Sequence, residues 1–315
     1  MAARTTSTDR ATTYPAGLND PTQEKVLVTG AAGMLGSQVL LCVPDGTLVC
    51  GTDLNEAPGV EAPSVDLADR EQVARLFDEH GPFSGVIHTA AYTAVDRAEE
   101  DEALALRVNG DACGVLAERC AAHDVPLVIV STDFVFDGTG DRPYLPEDPV
   151  SPISAYGRTK LAGERAALDA HPGGTRVVRT QWLYGPRGKH FPGTMLALAK
   201  ERDELRVVGD QRGSPTSTLE LAPALWAVLR DGDAGIYHAA CDGDATWYDF
   251  AVATLELAGV EGVAVHPCTT AEYPTPAARP AYSVLDCSRM TALRGKPLAP
   301  WREALSTYLG TSTDQ

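Results

Sequence analysis

The chain has 315 residues, 44% of them hydrophobic, and carries a formal net charge of −17. That is enough apolar material to bury a full core in one large or two fused domains. So acidic a chain excludes nucleic acid as a partner, because phosphate backbones are held by Lys and Arg, and no apolar run is long enough to span a membrane.

Residues 1–24 are rich in Thr, Ala, Pro and Asp, show no hydrophobic period, and read as a disordered tail. No signal peptide is visible, and Asp9 and Asp20 argue against a transit peptide. The first structured segment is Lys25-Val-Leu-Val-Thr-Gly30-Ala-Ala-Gly33-Met-Leu-Gly36. A strand near 26–29 opens into three glycines at three-residue spacing and then a helix near 35–43. This is the turn that lets a dinucleotide's pyrophosphate rest on a helix N-terminus. A second strand near 47–52 ends at Asp53, about 20 residues after the turn, where an acid accepts from a ribose 2′-hydroxyl. A helix near 69–79 and a strand near 86–89 follow, with His88 at the strand end beside the cofactor. The acidic run Glu99–Glu102 reads as the solvated start of one helix over 101–122. A buried strand near 126–131 ends in Ser131 and Thr132, and strand ends of open α/β sheets face the ligand crevice. The next helix, near 155–170, carries Tyr156 and Lys160; a strand near 176–182 completes the series.

Strands and helices in strict alternation imply a Rossmann-type doubly wound parallel sheet with right-handed crossovers. Beyond Gly185 the elements shorten and Pro and Gly rise, with helices near 193–201, 219–229 and 247–258. The fold class expected is α/β: a dinucleotide-binding domain over 25–185 and a smaller C-terminal α/β substrate lobe over 186–310, with segments free to exchange between them.

Tyr156 and Lys160, four residues apart, share one helix face. An ammonium beside a phenol lowers the phenol's pKa, and a tyrosine so tuned can give a proton to a carbonyl oxygen or take one from an alcohol. A hydroxyl at Thr132 can donate to the same oxygen. Seven cysteines at 42, 50, 113, 120, 241, 268 and 287 show neither C-x-x-C nor zinc spacing, which indicates a reducing cytoplasm and no protein-held metal. Cys113 and Cys120 read as packed small residues on one helix face.

The dinucleotide turn, strand-end Thr and Tyr-x-x-x-Lys, in that order, resemble the extended short-chain dehydrogenase/reductases. Within them the chain resembles the dTDP-4-dehydrorhamnose reductase family, from Lys25 to about Tyr308. The strings that carry the likeness are Ala90-Ala-Tyr-Thr93-Ala-Val-Asp96, Ser131-Thr-Asp-Phe-Val-Phe-Asp-Gly138, Ala155-Tyr-Gly-Arg-Thr-Lys-Leu-Ala-Gly-Glu164, Arg179-Thr-Gln-Trp182-Leu-Tyr-Gly185, Asp210-Gln-Arg-Gly-Ser-Pro-Thr216 and Arg279-Pro-Ala-Tyr-Ser-Val-Leu-Asp286.

The resemblance implies reduction of the 4-keto group of a nucleotide-linked 4-keto-6-deoxy-L-hexose, with Thr132, Tyr156 and Lys160 as catalytic residues. It implies cofactor contacts at Gly30, Gly33, Met34, Leu35, Asp66, Leu67, Ala90, Ala91 and Thr93, beside Tyr156 and Lys160. Asp133, Phe134, Trp182 and Arg279, together with Thr132, would meet the sugar nucleotide. The cofactor is NADPH or NADH, and Asp53, which would repel a 2′-phosphate, argues that NADH is accepted. A homodimer is compatible with the resemblance. Three positions depart from the family pattern: Phe134 stands where Tyr is common, Gln181 where Ser is, and His190 where Asn is. They bear on which sugar is used. Two alternatives stay open: a related ketoreductase of a specialised deoxysugar pathway (dihydrostreptose-type), and a non-catalytic dinucleotide-binding regulatory subunit resembling the partner of methionine adenosyltransferase.

Overall fold

The computed structural model describes residues 23–312, so the tail expected over 1–24 lies, but for its last two residues, outside the described residues. Seven strands form the main sheet. They are β1 (Lys25–Thr29), β2 (Leu48–Asp53), β3 (Ala62–Pro63), β4 (Gly85–His88), β5 (Leu127–Thr132), β6 (Thr175–Thr180) and the strand Gly235–His238. Every pairing is parallel, in the spatial order β3, β2, β1, β4, β5, β6, Gly235–His238. The chain therefore starts in mid-sheet, winds out to β3, returns beside β1 as β4, and winds out the other way. That reversal opens a crevice at the carboxyl ends of β1 and β4, where α/β sheets bind ligands.

Strands buried on both faces read as apolar runs, and the period of two divides each run between two cores. Val26, Val28, Ile87, Val128 and Val178 face the side covered by α1 (Met34–Leu41) and α8 (Thr218–Asp231). Leu27, Val86, Leu127, Ile129 and Val177 face α2 (Arg70–His80) and α5 (Ala112–Ala122), with Cys113 and Cys120 packed there as small residues. The described cysteines are all free thiols.

The helix expected over 101–122 is present but not uniform. It runs without interruption over Glu102–Ala122, but a π-turn at Arg107–Asp111 divides it into α4 (Glu102–Leu106) and α5, and a separate α3 (Val95–Glu100) precedes it. The side chain of Asp101 accepts from Leu104 N–H at 3.0 Å, ending one helix and capping the next. Nor is the acidic run simply solvated. Glu99 accepts the Ala155 N–H at 2.8 Å, and Glu102 forks onto Arg158 at 2.8 Å, so the run docks the N-terminus of α6 (Ala155–Ala170).

After β6 the chain builds α7 (Phe191–Ala199), α9 (Trp247–Leu257) and a parallel pair, Glu204–Val208 with Ala264–Cys268. Between them it returns to the main sheet with α8 and the strand Gly235–His238. Tyr184, Phe250, Leu305 and Tyr308 form the apolar centre of the smaller layer.

Candidate active site

One cleft of about 1030 Å³ runs along the carboxyl ends of the strands, and every site residue expected from the sequence lines it. Its cofactor half is made mostly of backbone. Gly30 sits at φ +68°, and a Cβ there would lie 2.5 Å from the Ala90 nitrogen, so only glycine lets β1 turn this close to β4. At Gly36 a Cβ would lie 2.1 Å from the Gly30 carbonyl oxygen, which closes the turn onto α1. Gly33 caps α1 without a side-chain hydrogen bond, and no acid stands in the first turn. The first amides of α1 thus lack a side-chain partner and meet the cleft at Gly33, Met34 and Leu35, the arrangement a pyrophosphate needs.

Asp53 ends β2 and braces this turn. Its carboxylate accepts from Ala32 N–H at 3.1 Å and from Asn55 N–H at 3.0 Å. Asp66 pairs with Arg107 of the π-turn and accepts from Ala68 N–H at 3.0 Å, fixing the loop that carries Leu67. Ala90, Ala91 and Thr93 continue from β4 along the cleft wall. Asn109, which the sequence reading missed, anchors that strip. Its side chain is bonded to both backbone groups of Tyr92, at 2.8 and 3.2 Å, and donates to Thr159 on α6 at 3.1 Å. The π-turn brings it there, and no pattern of apolar spacing announces a π-turn.

Thr132 ends β5, buried, with its hydroxyl donating to Asp133 Oδ1 at 3.0 Å. Tyr156 stands on the first turn of α6, within hydrogen-bond reach of Thr132. The ring of Phe134 meets it edge-on, with centroids 5.6 Å apart. Lys160, one turn on, is buried and donates to the Val130 carbonyl at 2.7 Å. The acidification expected of the phenol is therefore absent. Burial first, and then the nearby Asp133 carboxylate, push Tyr156 up to about 12, partly offset by Thr132. Burial lowers the pKa of Lys160. The tyrosine is held as a protonated acid. Asp133, its Oδ2 without a partner, is itself pushed up to about 6, mainly by burial.

Beneath these groups lies a buried clamp. Glu164 of α6 forks onto Arg179 of β6 at 2.7 and 2.9 Å and accepts from Ser131 Oγ at 2.5 Å, and both charged side chains are 2% exposed. Arg179 also donates to the Pro146 carbonyl at 3.2 Å and lies over the Phe136 ring. The clamp joins the helix bearing Tyr156 and Lys160 to the strand ending in Thr132.

The other half of the cleft is made of side chains from distant stretches. Trp182 takes a left-handed backbone, φ +49°, and stacks on Trp247 with centroids 3.6 Å apart and planes 9° from parallel. Trp247 donates to Gln211 at 3.2 Å, and Phe191 packs against its ring. Lys189, Arg202 and Arg206 line this half. Arg279 reaches the cleft too, with its fork on Asp96 at 2.6 and 2.8 Å, strapping the 273–280 loop to α3. Trp247 and the cations escaped the sequence reading, since none sits in a local motif, and Gln211, within the string Asp210–Thr216, was assigned no role there.

His88, at the end of β4, is neutral: burial lowers it to about 3, and its Nδ1 meets Thr29 Oγ1 at 2.6 Å. Cys50, Glu61 and His80 come together away from the cleft lining, but the Cys50 thiol is a core group pushed up to about 12, mainly by burial.

Residues 24–313 match the family model for the RmlD substrate binding domain. The chain belongs to that family. Among RmlD relatives, it is 41% identical to a dTDP-4-dehydrorhamnose reductase of Streptomyces griseus, over 89% of this chain and 91% of that protein. It is 40% identical to a dTDP-4-keto-6-deoxy-D-glucose reductase of Streptomyces niveus, over 90% and 96%. A crystal structure of a dTDP-4-dehydrorhamnose reductase from Clostridium acetobutylicum superposes with a TM-score of 0.85 at 40% identity, covering 92% of this chain and 99% of that one. The Bacillus anthracis dTDP-4-dehydrorhamnose reductase, solved with NADP, gives a TM-score of 0.85 at 33% identity and the same coverage. Of the three positions at which this RmlD chain departs from the common pattern, Phe134 and Gln181 line the cleft. His190 instead caps α7, its Nδ1 accepting from Gly193 N–H at 3.1 Å and its Nε2 meeting Tyr308 Oη at 3.1 Å.

Proposed function

We propose that this chain reduces the 4-keto group of a dTDP-linked 4-keto-6-deoxyhexose, using NADH or NADPH, in deoxysugar biosynthesis. The observation that carries the reading is the meeting of Thr132, Tyr156 and Lys160 at the centre of a cleft whose far end is an uncapped helix N-terminus. A nicotinamide dinucleotide across the glycine turn supplies the hydride. Gly33, Met34 and Leu35 hold its pyrophosphate, Asp53 and Asp66 flank the adenosine end, and Ala90, Ala91 and Thr93 floor the path to the nicotinamide.

Tyr156 gives its proton to the oxygen of the reduced carbon, and its high pKa keeps that proton in place until charge develops there. Thr132 orients the same oxygen. Lys160, buried beneath the site, stabilises in its ammonium form the negative charge left on the phenol. Trp182 and Trp247 form an aromatic wall for the nucleotide, and Lys189, Arg202 and Arg206 offer charge to its phosphates. The larger lobe, 25–185 with α8 and the strand Gly235–His238 added, works on the cofactor, and the rest of 186–310 on the sugar nucleotide. The intact triad speaks against a non-catalytic regulatory subunit. The Streptomyces relatives of near-equal identity carry names for different sugars, which supports the 4-keto reduction more strongly than any one sugar.

The test is oxidation of NADH and of NADPH in the presence of dTDP-4-dehydrorhamnose or dTDP-4-keto-6-deoxy-D-glucose. Turnover with either sugar supports the reading, and none with either cofactor overturns it. The lysines and arginines lining the cleft come from α6 and from beyond residue 185, so none follows Asp53 to meet a 2′-phosphate. NADH should therefore serve at least as well as NADPH, and a kcat/KM strongly favouring NADPH would overturn that assignment of Asp53.

A further inference from the structure

Three buried polar atoms beside the triad have no hydrogen-bond partner: Asp133 Oδ2, Gln181 Nε2 and Thr180 Oγ1. Their residues are at most 4% exposed, and all three line the cleft. Buried polar groups left unpaired cost roughly 1–3 kcal/mol each, so three together mark a place built to bond something else.

Register puts their residues side by side at the ends of β5 and β6. Thr132 of β5 pairs with Thr180 of β6, so Asp133 and Gln181 are each one residue beyond that pair, on neighbouring strand ends. Adjacent strands lie about 4.8 Å apart, so an acceptor and a donor at these neighbouring strand ends are close enough to share a single hydroxyl group. Ser283 fixes the pair from behind. Its hydroxyl donates to Gln181 Oε1 at 3.1 Å, turning Nε2 away from it, and also lies against the Asp133 carboxylate.

Resting on the reductase reading, we infer that Gln181 and Asp133 form a donor–acceptor pair that reads the hydroxyl on the sugar carbon next to the one being reduced. Thr132 and Tyr156 meet the reacting oxygen, and the pair stands one residue further on. In a 4-keto-6-deoxyhexose, one neighbour of C4 is C5, which carries the ring oxygen and the methyl group. The other is C3. A C3 hydroxyl can donate to Asp133 Oδ2 while accepting from Gln181 Nε2, satisfying both. A 3-deoxy sugar leaves both unpaired, and sites built to bond a hydroxyl reject analogues without it steeply. Gln181 is thus a specificity-determining residue, and the site selects 3-hydroxy over 3-deoxy 4-keto sugars.

The experiment compares kcat/KM for dTDP-4-keto-6-deoxyglucose and its 3-deoxy analogue in the wild type, in Gln181→Met and in Ser283→Ala. Thermal midpoint and cofactor binding report folding in each variant. The wild type should prefer the hydroxylated sugar by about 10²-fold or more. Gln181→Met keeps the length and removes the donor, and should shrink that preference about 10-fold. Ser283→Ala releases the amide and should shrink it less. Equal treatment of the two sugars by the wild type, or parallel losses on both in the variants, overturns this inference and leaves the reductase reading standing. Oxidation of neither NADH nor NADPH with either sugar overturns that reading, and this one with it.

Discussion

The two halves of the cleft are made in different ways. The cofactor half is backbone: a glycine turn that tolerates no Cβ, a helix end without a cap, and a strip of small residues continuing from β4. The proposed sugar half is side chain: Trp182 on Trp247, Arg279 on Asp96, and Gln181 held by Ser283, joining positions 65, 183 and 102 apart in the chain. A backbone site binds what every dinucleotide shares. A site of side chains can change its ligand by single substitutions while the fold beneath it stays as it is.

That contrast can be broken at several points. The largest effect belongs to the clamp that serves both halves. Glu164→Ala leaves Arg179 buried and unpaired, and should cost about 3–5 kcal/mol of stability, read from urea unfolding. A loss below about 1 kcal/mol would mean that the clamp does not hold α6 to the sheet. Next is chemistry. Tyr156→Phe should lower kcat by ~10² or more with little change in cofactor affinity, and near-normal turnover would point to a different acid. Trp247→Ala strikes the sugar half alone. KM for the sugar nucleotide should rise about 10-fold, consistent with the loss of one aromatic stack, while NADH binding stays put. A matching loss of NADH affinity would erase the division drawn above.

The smallest effect is on pH. Asp133 titrates at about 6 in the folded chain, above the value of about 4 ordinary for Asp. The folded state thus holds that proton more tightly than the unfolded one. Its contribution to stability is full below about pH 4 and is lost as pH rises through about 6. Activity runs the other way, since the carboxylate accepts from a sugar hydroxyl more strongly than the neutral acid does: kcat/KM should climb through about pH 6. Asp133→Asn should flatten both slopes, and a limb persisting in the variant would belong to another group.

The same contrast governs what could be read from the sequence. Gly30, Asp53, Thr132, Tyr156 and Lys160 were legible because each lies in a short string whose spacing is its geometry. Five strands of the sheet followed from alternation; the short β3 did not, and Gly235–His238 shows the chain returning to the sheet after the smaller lobe has begun. What spacing could not carry was direction. Tyr156 and Lys160 do share a helix, yet the Val130 carbonyl takes the ammonium and Asp133 faces the phenol, which reverses the expected tuning. Asn109 was hidden by a π-turn, whose extra residue shifts every later side chain around the helix. Trp247 opens an ordinary amphipathic helix, and only the fold sets it on Trp182.

Trp182 itself carries a consequence for anyone seeking a more robust variant. A left-handed backbone at a bulky residue costs about 1–3 kcal/mol, and its stack on Trp247 returns about 0.5–1.5 kcal/mol beyond simple burial. Strain and stacking thus nearly cancel, which leaves the partial burial of the ring against the smaller layer's core as its stabilising part. A screen that rewards heat resistance and ignores turnover would therefore keep a large apolar side chain here without demanding an indole. Retention of an aromatic at 182 under selection for growth on the sugar pathway, and its drift under selection for stability alone, would separate what this residue does for the ligand from what it does for the chain.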